Sequence, residues 1–83
     1  MIYGMESVYH WGWECTCMAQ PVHRGGFRVA VNCRSLIDGQ AEPLIVDLLS
    51  CATARQAIFR AHELAETWAY ENRHVIQSLL NEV

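Results

Sequence analysis

The sequence predicts an α+β fold in which a three-stranded antiparallel β-meander packs on one long C-terminal helix, in the order β-β-β-α. Three observations carry this. Before residue 50 apolar and polar residues alternate at period two, in three runs separated by turn formers. From Thr53 onward the period becomes 3.6. No glycine or proline follows Pro43 to stop the helix.

Residues 1–8 carry no pattern that chooses between a disordered lead-in and a short edge strand. From Tyr9 the alternation is clear: Tyr9, Trp11, Trp13, Cys15 and Cys17 share one side, and His10, Gly12, Glu14, Thr16 and Met18 the other. This reads as a half-buried strand with its odd positions inward. The stretch Gln20-Pro21-Val22-His23-Arg24-Gly25-Gly26 is rich in turn formers and predicts a hairpin. Phe27, Val29, Val31 and Cys33 then alternate with Arg28, Ala30, Asn32 and Arg34 as a second strand. A loop with an Asp38-Gly39 turn signal ends on Pro43, a residue suited to the mouth of a strand. In the third strand Leu44, Val46 and Leu48 are expected inward, because Asp47 in the other set resists burial.

The helix is expected over residues 53–83. At about 100° per residue, Ala54, Ala57, Ile58, Ala61, Leu64, Ala65, Trp68, Val75, Ile76, Leu79 and Val83 form one apolar stripe that only Asn72 interrupts. Thr53, followed three residues later by Gln56, fits a capping box, with Ser50 as a competing cap. Roughly 31 helical residues would extend about 46 Å, whereas strands of seven to nine residues reach only about 23 to 31 Å. The last turns would overhang the sheet. Either the helix breaks near Glu71-Asn72-Arg73 and folds back, or residues 71–83 form a tail that packs against a second subunit. The unbroken helix is the preferred reading, with a homodimer interface at Val75, Ile76, Leu79 and Val83.

With 83 residues the chain is one domain with one core. The charged share of 18% is low for a globular protein and favours an oligomer that hides surface. All six basic residues are arginine, and nine acids leave a net charge of -3. That balance disfavours a nucleic-acid binder, whose affinity rests on cations facing phosphate. No signal-peptide pattern and no run approaching the roughly 18 apolar residues of a membrane span is seen. The expectation is a cytoplasmic protein, with no membrane partner and its four cysteines reduced.

Candidate chemistry is sparse. Cys15 and Cys17 share one strand face with Cys33 adjoining, and Cys51, His10 or His23 would be the fourth ligand of a thiol metal site. On a core face free cysteine behaves instead as a small hydrophobe, and packing is the preferred reading. Cys51 falls at a strand-to-helix junction, where a helix N-terminus lowers a thiol pKa; a buried junction is the simpler account. His62 and Glu66 stand one turn apart as a side-chain pair. No nucleophile has a histidine and an acid in triad logic. The expectation is therefore no enzyme, no cofactor and no metal. The outward sheet face offers Arg28, Asn32 and Arg34, with Arg24 in the turn, as carriers of an alternative in which the sheet reads DNA; Glu14 and Asp47 on neighbouring strands argue for a protein partner instead. Phe59 and Tyr70, on the polar side of the helix, hint at a contact patch.

The aromatic-Gly-aromatic stretch Tyr9 to Trp13, the Phe-x-Val-x-Val strand Phe27 to Val31 and the Ala-x-x-Trp helix end Ala65 to Trp68 resemble those of small uncharacterised bacterial β-β-β-α proteins, over roughly Tyr9 to Tyr70. The resemblance implies the fold and no activity. The expected product is a small non-enzymatic protein-binding or regulatory module acting as a homodimer. The alternatives are the sheet-based nucleic-acid binder and the thiol metal-binding protein.

Overall fold

The computed structural model describes residues 4–42 and 45–82, with backbone alone at residues 48 and 49. Four strands, β1 (Gly4–His10), β2 (Trp13–Pro21), β3 (Phe27–Ser35) and β4 (Ile45–Cys51), form one antiparallel sheet in sequence order, followed by α1 (Ala54–Glu71) and α2 (Arg73–Asn81). The fold is α+β with an antiparallel sheet, as expected, but it has four strands and two helices. Pro43, Leu44 and Val83, and the side chains of Leu48 and Leu49, lie outside what is described.

The additional strand comes from the first period-two run, which is not one strand. It reverses at Trp11-Gly12, where both residues take positive φ, 54° and 85°. With His10 opposite Trp13 this is a two-residue hairpin of type I′, whose twist suits antiparallel strands. The reversal changes the parity of the faces. Even positions of β1 pair with odd positions of β2, so Trp13, Cys15 and Cys17 are inward as expected, while Tyr9 points outward and is 62% exposed. Gly12 has a second constraint: a Cβ there would come within 2.6 Å of Ile76 Cγ2.

The parity of the last strand is also the reverse of the expectation. Val29 pairs with Asp47 and Val31 with Ile45, so the odd set of β4 faces the helices and Val46 faces out. Asp47 tolerates that side because Arg60 of α1 reaches down to it, Nε to Oδ2 at 2.9 Å. A partner across the layer, invisible in the strand's own pattern, reverses the burial argument.

One layer of helix covers one face of the sheet. The core is Trp13, Cys15, Cys17 and Ala19 on β2, Val29, Val31 and Cys33 on β3, and Ala57, Ala61, Ala65 and Ala69 at i, i+4 spacing on α1. Small side chains on both sides let helix and sheet approach closely. Trp13 and Trp68 fill the hairpin end, edge to face at 4.8 Å. Thr53 caps α1, its Oγ1 accepting from the Gln56 backbone N–H at 3.1 Å.

The helix does not run unbroken. Asn72 leaves the helical region at φ -107° and ψ 14°. Its Nδ2 donates to the Trp68 carbonyl at 2.9 Å, and the Asn72 carbonyl accepts from Trp13 Nε1 at 3.3 Å. An asparagine side chain that competes for a backbone acceptor, and an indole that takes the carbonyl, account for the break. The molecule measures 48 × 20 × 16 Å, longer than the roughly 30 Å of a nine-residue strand. The helical layer therefore still passes the end of the sheet.

Candidate functional site

The hairpin end collects the side chains best suited to contact. Trp11 is the central one. A bulky residue at φ 54° is an outlier, since the left-handed region brings Cβ against the following carbonyl and is the province of glycine and asparagine. Yet Trp11 is 54% exposed. The chain itself covers only about half of the ring.

Tyr70, in the last turn of α1, meets Trp11 edge-on with ring centroids 5.5 Å apart. Arg73, just past the Asn72 break, lays its guanidinium over the Tyr70 ring, Cζ 3.9 Å from the centroid, and donates from Nη1 to the Tyr70 carbonyl at 2.7 Å. The break thus positions Arg73 by re-aiming the chain beyond Glu71. A second loop joins at the same end: the Leu36 backbone N–H donates to the Gly12 carbonyl at 3.0 Å, and Leu36 and Ile37 are both exposed. Ser35, buried at the end of β3, holds that loop by accepting the N–H groups of Ile37 and Asp38 at 3.1 and 3.3 Å. The surface therefore presents an aromatic pair with a stacked arginine, beside an exposed aliphatic pair on a tied loop. Trp, Tyr and Arg are the residue types that dominate binding energy at interfaces.

The residues expected to bind nucleic acid lie on the uncovered face of the sheet. Arg28, Asn32 and Arg34 are exposed there, and Arg24 is exposed in the β2–β3 turn. Arg34 is tied to Glu14 Oε1, whose other oxygen accepts from the Tyr9 hydroxyl at 3.0 Å. That hydrogen bond, followed by the Glu14 charge, raises the Tyr9 pKa. Asp47, expected on this face, is on the opposite one, so Arg28 and Arg34 face Glu14 alone among the described acids of β2–β4. An apolar row Met5, Met18, Ala30 and Val46 crosses the same face through all four strands.

Cys15 and Cys33 stand directly opposite each other, Sγ to Sγ at 2.9 Å, and are buried with Cys17. Cys33 donates its S–H to Cys15; that bond and burial push the Cys33 thiol up, while accepting it pulls Cys15 down. Burial raises Cys17 to about 11. Among the described residues no group of three or more His, Cys, Asp or Glu side chains is arranged to hold a metal ion. Cys51 is half-buried at the end of β4, His10 is half-buried and His23 is exposed. His62 pairs with Glu6 of β1, Nε2 to Oε1 at 2.9 Å, across to the sheet instead of along the helix to Glu66.

Of the residues assigned to a dimer interface, Ile76 is buried within its own chain against Gly12, and Val75 and Leu79 are half-buried against the core. Leu80, one position on, is 54% exposed. Phe59 and Tyr70 do not form one patch: Tyr70 belongs to the hairpin end, whereas Phe59 lines a groove of about 510 Å³ between β1 and the first turns of α1. Among the described residues no helix is long and apolar enough to cross a membrane. No protein-family model, curated protein or solved structure matches this chain.

Proposed function

We propose that this chain is a small non-enzymatic protein-binding or regulatory module that works as a homodimer, and that Trp11, Tyr70 and Arg73, flanked by Leu36 and Ile37, are its contact with a partner protein. The observation that carries the reading is Trp11, half exposed at φ 54°. An uncommon backbone conformation that displays a large aromatic ring is the kind of strain that accompanies a binding role. The stacked arginine and the tied aliphatic loop supply a polar rim and a further anchor.

The test compares the unchanged chain with Trp11→Asn in affinity capture from the organism that makes it. Asparagine accepts the left-handed conformation, so the fold is kept while the ring is removed. A partner retained by the first and lost from the second supports the reading. Equal retention, or no specific partner for either, counts against it.

A second reading has a specific observation in its favour. With Asp47 turned to the helical side, the bare sheet face carries Arg28 and Arg34 against Glu14, and Asn32 stands between them. A nucleic-acid complex formed there would weaken steeply with salt, and Arg28→Ala would lower its affinity severalfold. Fluorescence anisotropy with duplex and single-stranded probes decides this.

A further inference from the structure

β1 is an edge strand. It pairs with β2 on one side, and among the described residues no backbone hydrogen bond reaches its other side. An open edge is a template for a further strand unless something blunts it. Immediately above the edge is the groove formed by Gly4, Glu6, Ala54, Ile58, Phe59 and His62. Phe59 is 69% exposed beside it, and Met5 and Tyr9, on the other face of the same strand, are each 62% exposed. Exposed apolar side chains thus lie on both faces of one open edge.

We infer that a second copy of this chain pairs with β1, two β1 strands running antiparallel about a two-fold axis at Ser7 to make one eight-stranded sheet. This rests on the homodimer reading above and moves its interface from α2 to β1. Ser7 is the midpoint of Gly4–His10, so only that register overlaps the whole strand. It sets Met5 opposite the second copy's Tyr9, a thioether against an aromatic ring, twice over. Ser7 then faces Ser7, and Glu6 faces Val8. The two Glu6 side chains fall on a diagonal, and each is already paired with its own His62.

The helical layer fits the same arrangement. With β2, β1 and their counterparts as successive strands, the two β2 strands would stand three spacings apart, about 14 Å. α1 is centred over β2, with β3 and β1 on either side, and a helix is about 10 Å across. The two α1 helices would leave a cleft between them, and Ile58 and Phe59 from each copy are placed to fill it. A two-fold pairing also closes, whereas joining β1 to β4 of another copy would propagate without end. The edge is short, seven residues or about 23 Å, on a molecule 16 to 20 Å thick. That is roughly 400 Å² per copy, at the low end of interface sizes, so a weak dimer that dissociates on dilution is expected.

Light scattering across a hundredfold concentration range about the micromolar region tests this, on the full chain and on Met5→Lys, Phe59→Asp and Leu80→Asp, each checked for folding by circular dichroism. The expected result is a dimer weakened at least tenfold by Met5→Lys and Phe59→Asp and unchanged by Leu80→Asp. A dimer indifferent to the first two, or lost only with Leu80→Asp, overturns the β1 interface and leaves the homodimer standing. A monomer throughout overturns both. Ser7→Cys supplies an independent check that asks nothing of the groove. Under glutathione disulfide it should form a covalent dimer at Ser7 that the unchanged chain, with Cys51 as its least buried thiol, does not form. Failure to cross-link in a sample that scatters as a dimer also overturns the pairing.

Discussion

Trp13, the first residue of β2, donates its indole N–H to the Asn72 carbonyl 3.3 Å away, tying the hairpin to the break between the helices. The same ring packs edge-on against Trp68. Trp13→Phe keeps an aromatic ring and removes the donor, and should cost about 1 kcal/mol. Trp13→Ala should cost roughly 3 to 5 kcal/mol by opening a cavity. Urea unfolding monitored by circular dichroism separates the two.

Gly12→Ala should be more harmful than its size suggests. The added Cβ meets Ile76 Cγ2 at 2.6 Å, and φ is 85°. Left-handed strain and overpacking together predict a loss of roughly 2 to 4 kcal/mol. Ile76→Ala removes the clashing methyl, so the double variant should lose less than the two single losses combined. Strict additivity in the cycle would refute the contact.

Trp11→Asn should behave unlike most tryptophan replacements. It relieves left-handed strain of about 1 to 2 kcal/mol and gives up an edge contact with Tyr70 worth about 0.5 to 1.5 kcal/mol. These roughly offset, and what remains is the covered half of the ring, about 1 to 1.5 kcal/mol, so the variant should lose no more than about 2 kcal/mol. A loss of several kcal/mol by chemical denaturation would mean that Trp11 is a structural residue.

Asp47 and Arg60 should couple across the layer. Asp47 is largely sheltered, with 15% of its side chain exposed, but Arg60 is 47% exposed. A small but measurable coupling is expected from a double-mutant cycle with alanine, shrinking as salt is raised. The hydrogen bond that Arg60 donates to Asp47 raises the Arg60 pKa, so the guanidinium stays charged throughout the accessible range. No coupling at low salt would show that the pair contributes nothing to folding.

Alkaline pH should weaken the fold through the buried thiols. Cys17 ionises near 11 in the folded chain against an ordinary 9.0. Below 9 both states hold the proton and its contribution to stability is complete. Between 9 and 11 the unfolded chain loses the proton first, so each pH unit should lower stability by about 1.4 kcal/mol. Cys17→Val should flatten that part of the pH profile. In native alkylation Cys51 should react before Cys15, Cys17 and Cys33.

The parts of the fold that repeat were legible. The inward set of Trp13, Cys15 and Cys17, the alternation of β3, the Thr53 cap and most of the alanine stripe on α1 follow from local pattern alone. The first turn was hidden because Trp11-Gly12 is not a turn signature, and the residues it meets in the fold, Tyr70 and Ile76, lie about sixty positions away. The orientation of β4 was misread because the partner of Asp47 is on another element. Asn72 was visible as the interruption of the apolar stripe, but its consequence depends on Trp13. Of the candidate surface, only Tyr70 was singled out from the sequence, as half of a patch with Phe59. Its true neighbours, Trp11 and Arg73, are brought to it by the hairpin and the helix break.

The alanine stripe gives this molecule an uneven interior. Beside Gly4, Ala19, Val29 and Ala57 the layers touch mainly through small groups, with Ile58 on Gly4 and Phe27 only partly buried, whereas the fully buried Trp13, with Trp68 and Ile76, concentrates burial at the other end. Amide hydrogen exchange should therefore be graded along the long axis, slowest around Trp13 and fastest over the first turns of α1 and the start of β1. The end that opens most readily is the one carrying the groove, so a contact made there would tighten the half of the domain that holds itself least.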